Sequence, residues 1–253
     1  MPRMLTDPWF YAAAVPSMLV LGLSKGGFGI LNLLTVPILA LAIPPVQAAG
    51  ITLPILVLSD CVALAAYWRD WDTRILVSML PGALVGIGVG WLTAAWVTEH
   101  EIRLIVGFVS IAFALDYYLR RRRDAARPRN AAKALFWGGV AGFTSFVSHA
   151  GGPPYQVYTA PLRLAPRTFA ATSVMFFATV NAVKLVPYFF LGQFDTTNLE
   201  GSAILLPLSI PATLFGVWLV KRVDAKSFYR ITYALILVLG IFLIAQSLRD
   251  MVG

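Results

Sequence analysis

Apolar residues run along this chain in blocks about as long as a bilayer is thick, separated by short polar connections. Six blocks are uninterrupted: Val46–Trp68, Ile75–Val97, Ile102–Leu119, Thr168–Leu191, Gly201–Val220 and Phe228–Leu248. Each is close to the roughly 20 residues that an α-helix needs to cross about 30 Å of hydrocarbon. Four further blocks are shorter or interrupted: Trp9–Leu23, Phe28–Ile43 with Pro37 inside it, Ala134–Ser148 and Pro154–Leu164. A 15-residue helix rises only about 22 Å, so these four read as half-spans. Glycine-rich breaks join them in pairs, through Ser24-Lys25-Gly26-Gly27 and through Ser148-His149-Ala150-Gly151-Gly152. The pattern predicts an all-α polytopic membrane protein, with two broken or re-entrant helical hairpins, each followed by three transmembrane helices. If each short pair crosses twice instead, ten segments result and every later loop keeps its side.

Composition agrees with that pattern. Of the 253 residues 58% are hydrophobic and only 13% charged, whereas a soluble domain carries about 25% charge. The formal net charge of +8 raises nucleic acid as a partner, but the basic residues lie in short loops, with no basic helix carrying interleaved aromatics. Fifteen of the 20 Lys and Arg fall in the loops Arg69–Arg74, Arg120–Lys133, Arg163–Arg167 and Lys221–Arg230. With the short pairs returning to their starting side, all four loops share one face. Arg3, Arg103 and Arg249 lie on the other, together with Glu99, Glu101, Asp195 and Glu200. Short basic loops stay in the cytoplasm, so both termini are expected outside. Met1–Pro8 carries only Arg3 and Asp7, and no small-residue cleavage site follows, so a cleaved signal peptide is not expected. The single cysteine, Cys61, offers neither a disulfide nor a paired metal or redox site.

The two halves also resemble each other. Trp71-Asp72-Thr73 with Leu76 matches Phe194-Asp195-Thr196 with Leu199 at an offset of 123; Thr35-Val36-Pro37 matches Thr159-Ala160-Pro161 at 124; Gly26-Gly27 matches Gly151-Gly152 at 125. Because the Asp72 loop is cytoplasmic and the Asp195 loop external in this topology, the related halves are inverted. The expected division is a first repeat over 1–123, a basic linker over 124–133 and a second repeat over 134–253, all within one transmembrane domain. Inverted repeats with broken helices near the midplane recur in secondary transporters, where helix ends and freed amides face an anionic substrate.

Four ionisable groups lie deep in the apolar blocks: Lys25, Asp60, His149 and Lys184. Each costs at least a few kcal/mol there unless it has a partner or a wet cavity. Lys25 and His149 occupy matching positions at the two breaks. Lys184 follows Asn181 by three positions, on one helical face. Asp60 adjoins Cys61, the repeat counterpart of Lys184. Two lysines, a switchable histidine and glycine amides outweigh one carboxylate, which favours a small anion. Candidate binding residues are Lys25, Gly26, Gly27, His149, Gly151, Gly152, Asn181 and Lys184, with hydrogen bonds added by Gln156, Thr172 and Ser173. Asp60 and His149 are candidates for proton coupling. Plainer readings stand beside these. The lysines reach water by snorkelling, Asp60 forms a structural pair with Lys25 or Lys184, His149 bonds a helix end, and the glycines serve packing. Asp116 is expected to pair with Arg120 at an exposed helix end.

Gly22-Leu23-Ser24-Lys25-Gly26-Gly27-Phe28-Gly29 with Pro37, and His149-Ala150-Gly151-Gly152-Pro153-Pro154 with Pro161, resemble the paired glycine motifs of the TauE/SafE family of membrane transporters. Asn181-Ala182-Val183-Lys184-Leu185-Val186-Pro187-Tyr188 is similar to a segment of one branch of it. The likeness runs from about residue 10 to 248. It implies movement of sulfite, sulfoacetate or a related organosulfur anion, often outward, across a bacterial inner membrane; no cofactor, no metal and no enzymatic activity are expected. With no GxxxxGK[ST] motif in the sequence, protons or another coupling ion are the expected drive. Lipid is the expected surrounding, and a homodimer is left open. Two alternatives compete: an anion channel filtered by the same loops, and an intramembrane hydrolase using Ser145 or Ser148 with His149. A membrane scaffold without a ligand would leave the intramembrane lysines without a purpose.

Overall fold

A computed structural model describes residues 7–93, 96, 99–119 and 126–252, without the side chains of 99, 100, 102 and 250–252. Arg3 and the run Arg120–Arg123, which carry part of the charge bias, lie outside the described residues. All regular structure among the described residues is helical. In chain order it comprises α1 (Pro8–Lys25), α2 (Thr35–Leu39), α3 (Pro45–Ala66), α4 (Thr73–Thr93), α5 (Glu99–Leu119), α6 (Ala131–Ser148), α7 (Gly152–Thr159), α8 (Pro166–Phe190), α9 (Thr196–Arg222) and α10 (Ala225–Val252). A 3-10 turn at Gly29–Leu34 leads into α2 and another at Ala160–Leu162 follows α7. Among the described residues five helices, α3, α4, α8, α9 and α10, are long and apolar enough to cross a membrane. The chain is therefore a multi-pass membrane protein.

Local chemistry explains where the helices begin. Asp7 accepts from the Trp9 amide at 2.9 Å, Asn130 from Lys133 at 2.9 Å, Asp72 from Arg74 at 3.1 Å, Asp195 from Asn198 at 2.9 Å and Asp224 from Ser227 at 3.0 Å. These carboxylates and the amide satisfy donors that the first turn of a helix leaves open. Asp224 lies between α9 and α10, and the Ser227 hydrogen bonds hold its carboxyl below the usual range. Its contribution is therefore present above the unfolded carboxylate pKa and lost as pH falls through the folded value. Elsewhere proline starts the helix, at Pro45 and Pro166, where its missing N–H costs nothing.

The first arms of the broken pairs are longer than the sequence suggested. Both α1 and α6 have 18 residues, about 27 Å of rise. The length argument for half-spans thus applies only to the second arms, around α2 and α7. Pro8 to Ala131 and Lys25 to Ser148 each span 123 positions, as do Thr73 to Thr196 at the starts of α4 and α9.

Contacts gather the chain into two compact units, Met1–Trp71 with Ala170–Arg222 and Asp72–Phe169 with Val223–Gly253. Each draws on both sequence halves. A repeat is a relation of sequence and a compact unit one of contact, so the two divisions need not coincide. Within the first unit α1 and α3 pack on α9; within the second α4 packs on α6 and α5 on α10. The first helix of each half thus lies against the fourth helix of the other.

Small residues make these pairings close, as membrane helices require when lipid offers no hydrophobic penalty to separation. A Cβ on Gly22 would strike Ala212 and the Ser209 carbonyl, and one on Gly26 the backbone of Gly216. On α4, a Cβ on Gly82 would strike the Leu135 carbonyl and one on Gly86 the Gly139 carbonyl. From α6, Gly138 and Gly142 press on the Met79 and Ala83 carbonyls. Gly107 and Gly240 bring α5 and α10 together in the same way.

Candidate functional site

The first unit buries a charged cluster. Lys25 is the last residue of α1, where the negative end of the helix dipole favours a cation. Its ammonium lies 2.7 Å from Asp60 Oδ1 on α3. Lys25 is 5% exposed, Asp60 2% and Lys184 0%, so neither lysine snorkels to the surface. Asn181 on α8 donates its Nδ2 to Asp60 Oδ2 at 2.8 Å. The two carboxylate oxygens are therefore used differently. Oδ2 holds an amide hydrogen bond, while Oδ1 has the ionic contact and no further aligned hydrogen bond. Lys184, one helical turn after Asn181, lies with its Nζ 5.4 Å from the centre of the Tyr188 ring, within cation–π range.

Beneath this cluster the backbone of the first break is held in place. Gly26 N–H donates to the Gly22 carbonyl at 2.9 Å and Gly27 N–H to that of Ser24 at 3.2 Å. Both amides proposed as anion donors thus cap α1 in this conformation. Gly27 has φ 139°, a conformation side chains rarely adopt, and Val220, Ala170 and Tyr67 leave no room for a Cβ. The Tyr67 hydroxyl donates to the Gly26 carbonyl, which α1 cannot satisfy internally. Tyr67→Phe should cost about 1–2 kcal/mol by stranding that buried acceptor, read as a lower thermal midpoint in detergent. Ser59 and Ser209 share a hydrogen bond at 3.0 Å, tying α3 to α9 one residue from Asp60. Thr172 and Ser173 are buried in the same unit, with Ser173 Oγ facing Gly29.

The second break lies in the other unit. His149 caps α6 in the left-handed region, φ 54°, and is 6% exposed. A non-glycine residue there is uncommon, though histidine is among the tolerated ones. Ala150 N–H donates to the Thr144 carbonyl at 3.1 Å, and Thr144 Oγ1 returns a bond to the Ala150 carbonyl at 3.2 Å. Gly151 and Gly152 are buried at the start of α7, ahead of Pro153 and Pro154. The prolines have no N–H, so donors at this helix end are limited to the residues around them. Gln156 is 2% exposed and its Oε1 has no hydrogen-bond partner. Ser148 Oγ donates to the Thr144 carbonyl at 3.2 Å, as helical serines commonly do.

Near-complete sequence coverage now decides the family. The model described as sulfite exporter TauE/SafE matches residues 14–243. The chain belongs to this family. No curated protein and no solved structure matches it. TauE/SafE is a transporter family, which agrees with the reading of this chain as a transmembrane transporter and not an enzyme. In this TauE/SafE protein, Lys25, Asp60 and Asn181 come into direct contact, and Lys184 lies in the same unit. His149, Gly151, Gly152 and Gln156 belong to the second unit. Sequence reasoning missed Tyr67, Ser59, Ser209 and Tyr188. Tyr188 was within reach, one turn from Lys184 on a single helical face. Asp116 pairs with Arg127 at 3.4 Å, while its expected partner Arg120 lies outside the described residues. Arg163, read only as an orientation signal, has its guanidinium within 5.8 Å of the Tyr117, Tyr229 and Tyr233 rings.

Proposed function

We propose that this protein is a secondary transporter that exports a small sulfur-containing anion, sulfite or an organosulfonate, across a bacterial inner membrane. The observation that carries this reading is the buried charge of the first unit: Lys25 and Lys184 against the single carboxylate of Asp60. Two basic side chains and one carboxylate in a low-dielectric interior favour a further anion, and family membership supports a sulfur oxyanion as its class. Two inverted repeats moving by alternating access, with both termini outside, complete the proposal. The matched lengths and starts of α1 and α6 support the repeat. Their inversion rests on loop charge. Re-entry of the short second arms is part of the same reading.

Binding is assigned to Lys25 and Lys184 as charges, with Gly26, Gly27 and Asn181 as polar groups of the same unit. The glycine and asparagine donors take part only after giving up their present partners. A proton gradient, or that of another ion, drives the cycle.

Purified protein in liposomes should show saturable uptake of sulfite or ethanesulfonate that depends on an imposed pH gradient. Flux that rises linearly with concentration would favour the channel. Transport retained in Ser145→Ala with Ser148→Ala would remove the hydrolase. His149→Gln, which keeps a polar side chain but cannot titrate, should flatten or shift the pH profile of flux. An unchanged profile would take His149 out of coupling.

A further inference from the structure

The ion pair presents a problem for an anion carrier. The ammonium best placed at the first break already has an anion on it: Asp60 Oδ1 at 2.7 Å. Both partners are buried, so an incoming anion cannot simply be added beside the carboxylate. Two negative groups sharing one ammonium at this depth would repel at a strength water does not screen.

Resting on the anion-transporter reading above, we infer that the anion binds by exchange with Asp60. It takes the carboxylate's place on Lys25, and Asp60 takes up one proton. The charges balance: the ammonium loses a carboxylate and gains the incoming anion, while a proton neutralises the carboxylate. No covalent bond changes except the new O–H. The geometry identifies the oxygen that receives the proton. Oδ2 remains the acceptor for Asn181 Nδ2 at 2.8 Å. Oδ1 gives up its contact with the Lys25 ammonium when the anion takes that place, so the proton goes there. Asn181 is on this view a positioning residue, which keeps the carboxyl group oriented in both states.

The surroundings of Asp60 leave few competitors for that proton. From α1 the charged neighbour is Lys25; α8 contributes the Asn181 amide and, one turn further along the same helix, Lys184 beside the titratable Tyr188. Within α3 no other charged residue occurs, and α2 has none. From α9, Ser209 bonds to Ser59, the residue before Asp60. The charged residues of α9, Glu200, Lys221 and Arg222, lie towards the helix ends.

Anion and proton then bind together, one to one. A monovalent anion crosses with no net charge, and a divalent one carries a single negative charge. The site also selects for an oxyanion compact enough to sit where a carboxylate sat.

The test is proton uptake on binding, measured by calorimetry in two buffers of different ionisation enthalpy. The probes are ethanesulfonate, thiosulfate and sulfite, the last corrected for its own ionisation. Wild-type protein should take up about one proton per anion bound, and its affinity should fall roughly tenfold per pH unit where Asp60 is ionised. Asp60→Asn should bind the same probe with no proton uptake and a flat pH dependence, whereas Asp60→Glu should restore both. Binding without proton uptake in the wild type overturns the exchange but leaves the anion site standing. Uptake that persists in Asp60→Asn and vanishes in His149→Gln assigns the proton to His149 and also overturns it. Should Asp60→Asn keep its elution profile yet lose binding, exchange is again overturned, and if it does not fold, the wild type and Asp60→Glu decide. Binding of none of the three probes overturns the anion reading and this inference with it.

Discussion

Lys25→Met alone should destabilise the protein by about 3–5 kcal/mol, and Lys25→Met combined with Asp60→Asn should recover most of that loss. Removing one partner of a buried ion pair strands the other charge without water or counter-ion, and that penalty exceeds the net worth of the pair. The double variant leaves a neutral amide that can still accept from Asn181. Four proteins, wild type, the two singles and the double, form a cycle whose coupling should reach about 2 kcal/mol. Thermal midpoints in one detergent would measure it, and additive losses would show the pair carries no coupling. The sequence offers Lys25 both as a binding residue and as a structural partner of Asp60, and only the second reading carries this cost. Contact with Asp60 makes it a counter-ion as well as the ligand proposed above. Anion binding should be absent in the double variant even though its fold returns, which separates the two roles.

A second large effect is expected where α4 meets α6. Gly86→Ala should lose about 2 kcal/mol, because the added methyl would strike the Gly139 carbonyl and force the helices apart. Gly88→Ala, two positions along the same helix, has nothing within 4 Å of the new atom and should be neutral or slightly stabilising through helix propensity. Unfolding of both variants in a graded detergent or SDS series makes the comparison. Equal midpoints would mean that close backbone approach does not hold this pair together.

Much of the fold was legible because hydrophobic length in a membrane is a strong signal. The block Val46–Trp68 became Pro45–Ala66, and Phe228–Leu248 became Ala225–Val252, with differences at the ends where caps decide. Periodicity and length give the depth of a residue in the bilayer but not its direction around the helix axis. That is why Asp60 could be read as a partner of either Lys25 or Lys184 until α1 and α3 were seen together. The same gap left the glycine spacing of Gly82, Gly86 and Gly90 unread, although a small residue every fourth position is a recognisable packing face. Asn181 was assigned to the anion because it neighbours Lys184 in sequence, whereas its amide faces across to α3. The buried state of all four intramembrane ionisable groups was readable, since an apolar block offers them no other place.

The exchange of first and fourth helices between halves also sets the order in which the protein can be made. When about the first half of the chain has left the ribosome, Lys25 and Asp60 are both present, but α9, which covers the glycine face of α1, has not been synthesised. The partner of α4 is likewise still to come, in α6. Neither compact unit closes until α9 and α10 have been inserted, so early helices wait in lipid with their small-residue faces unmatched. A chain released after residue 123 would contain the helices of one sequence half and neither complete compact unit.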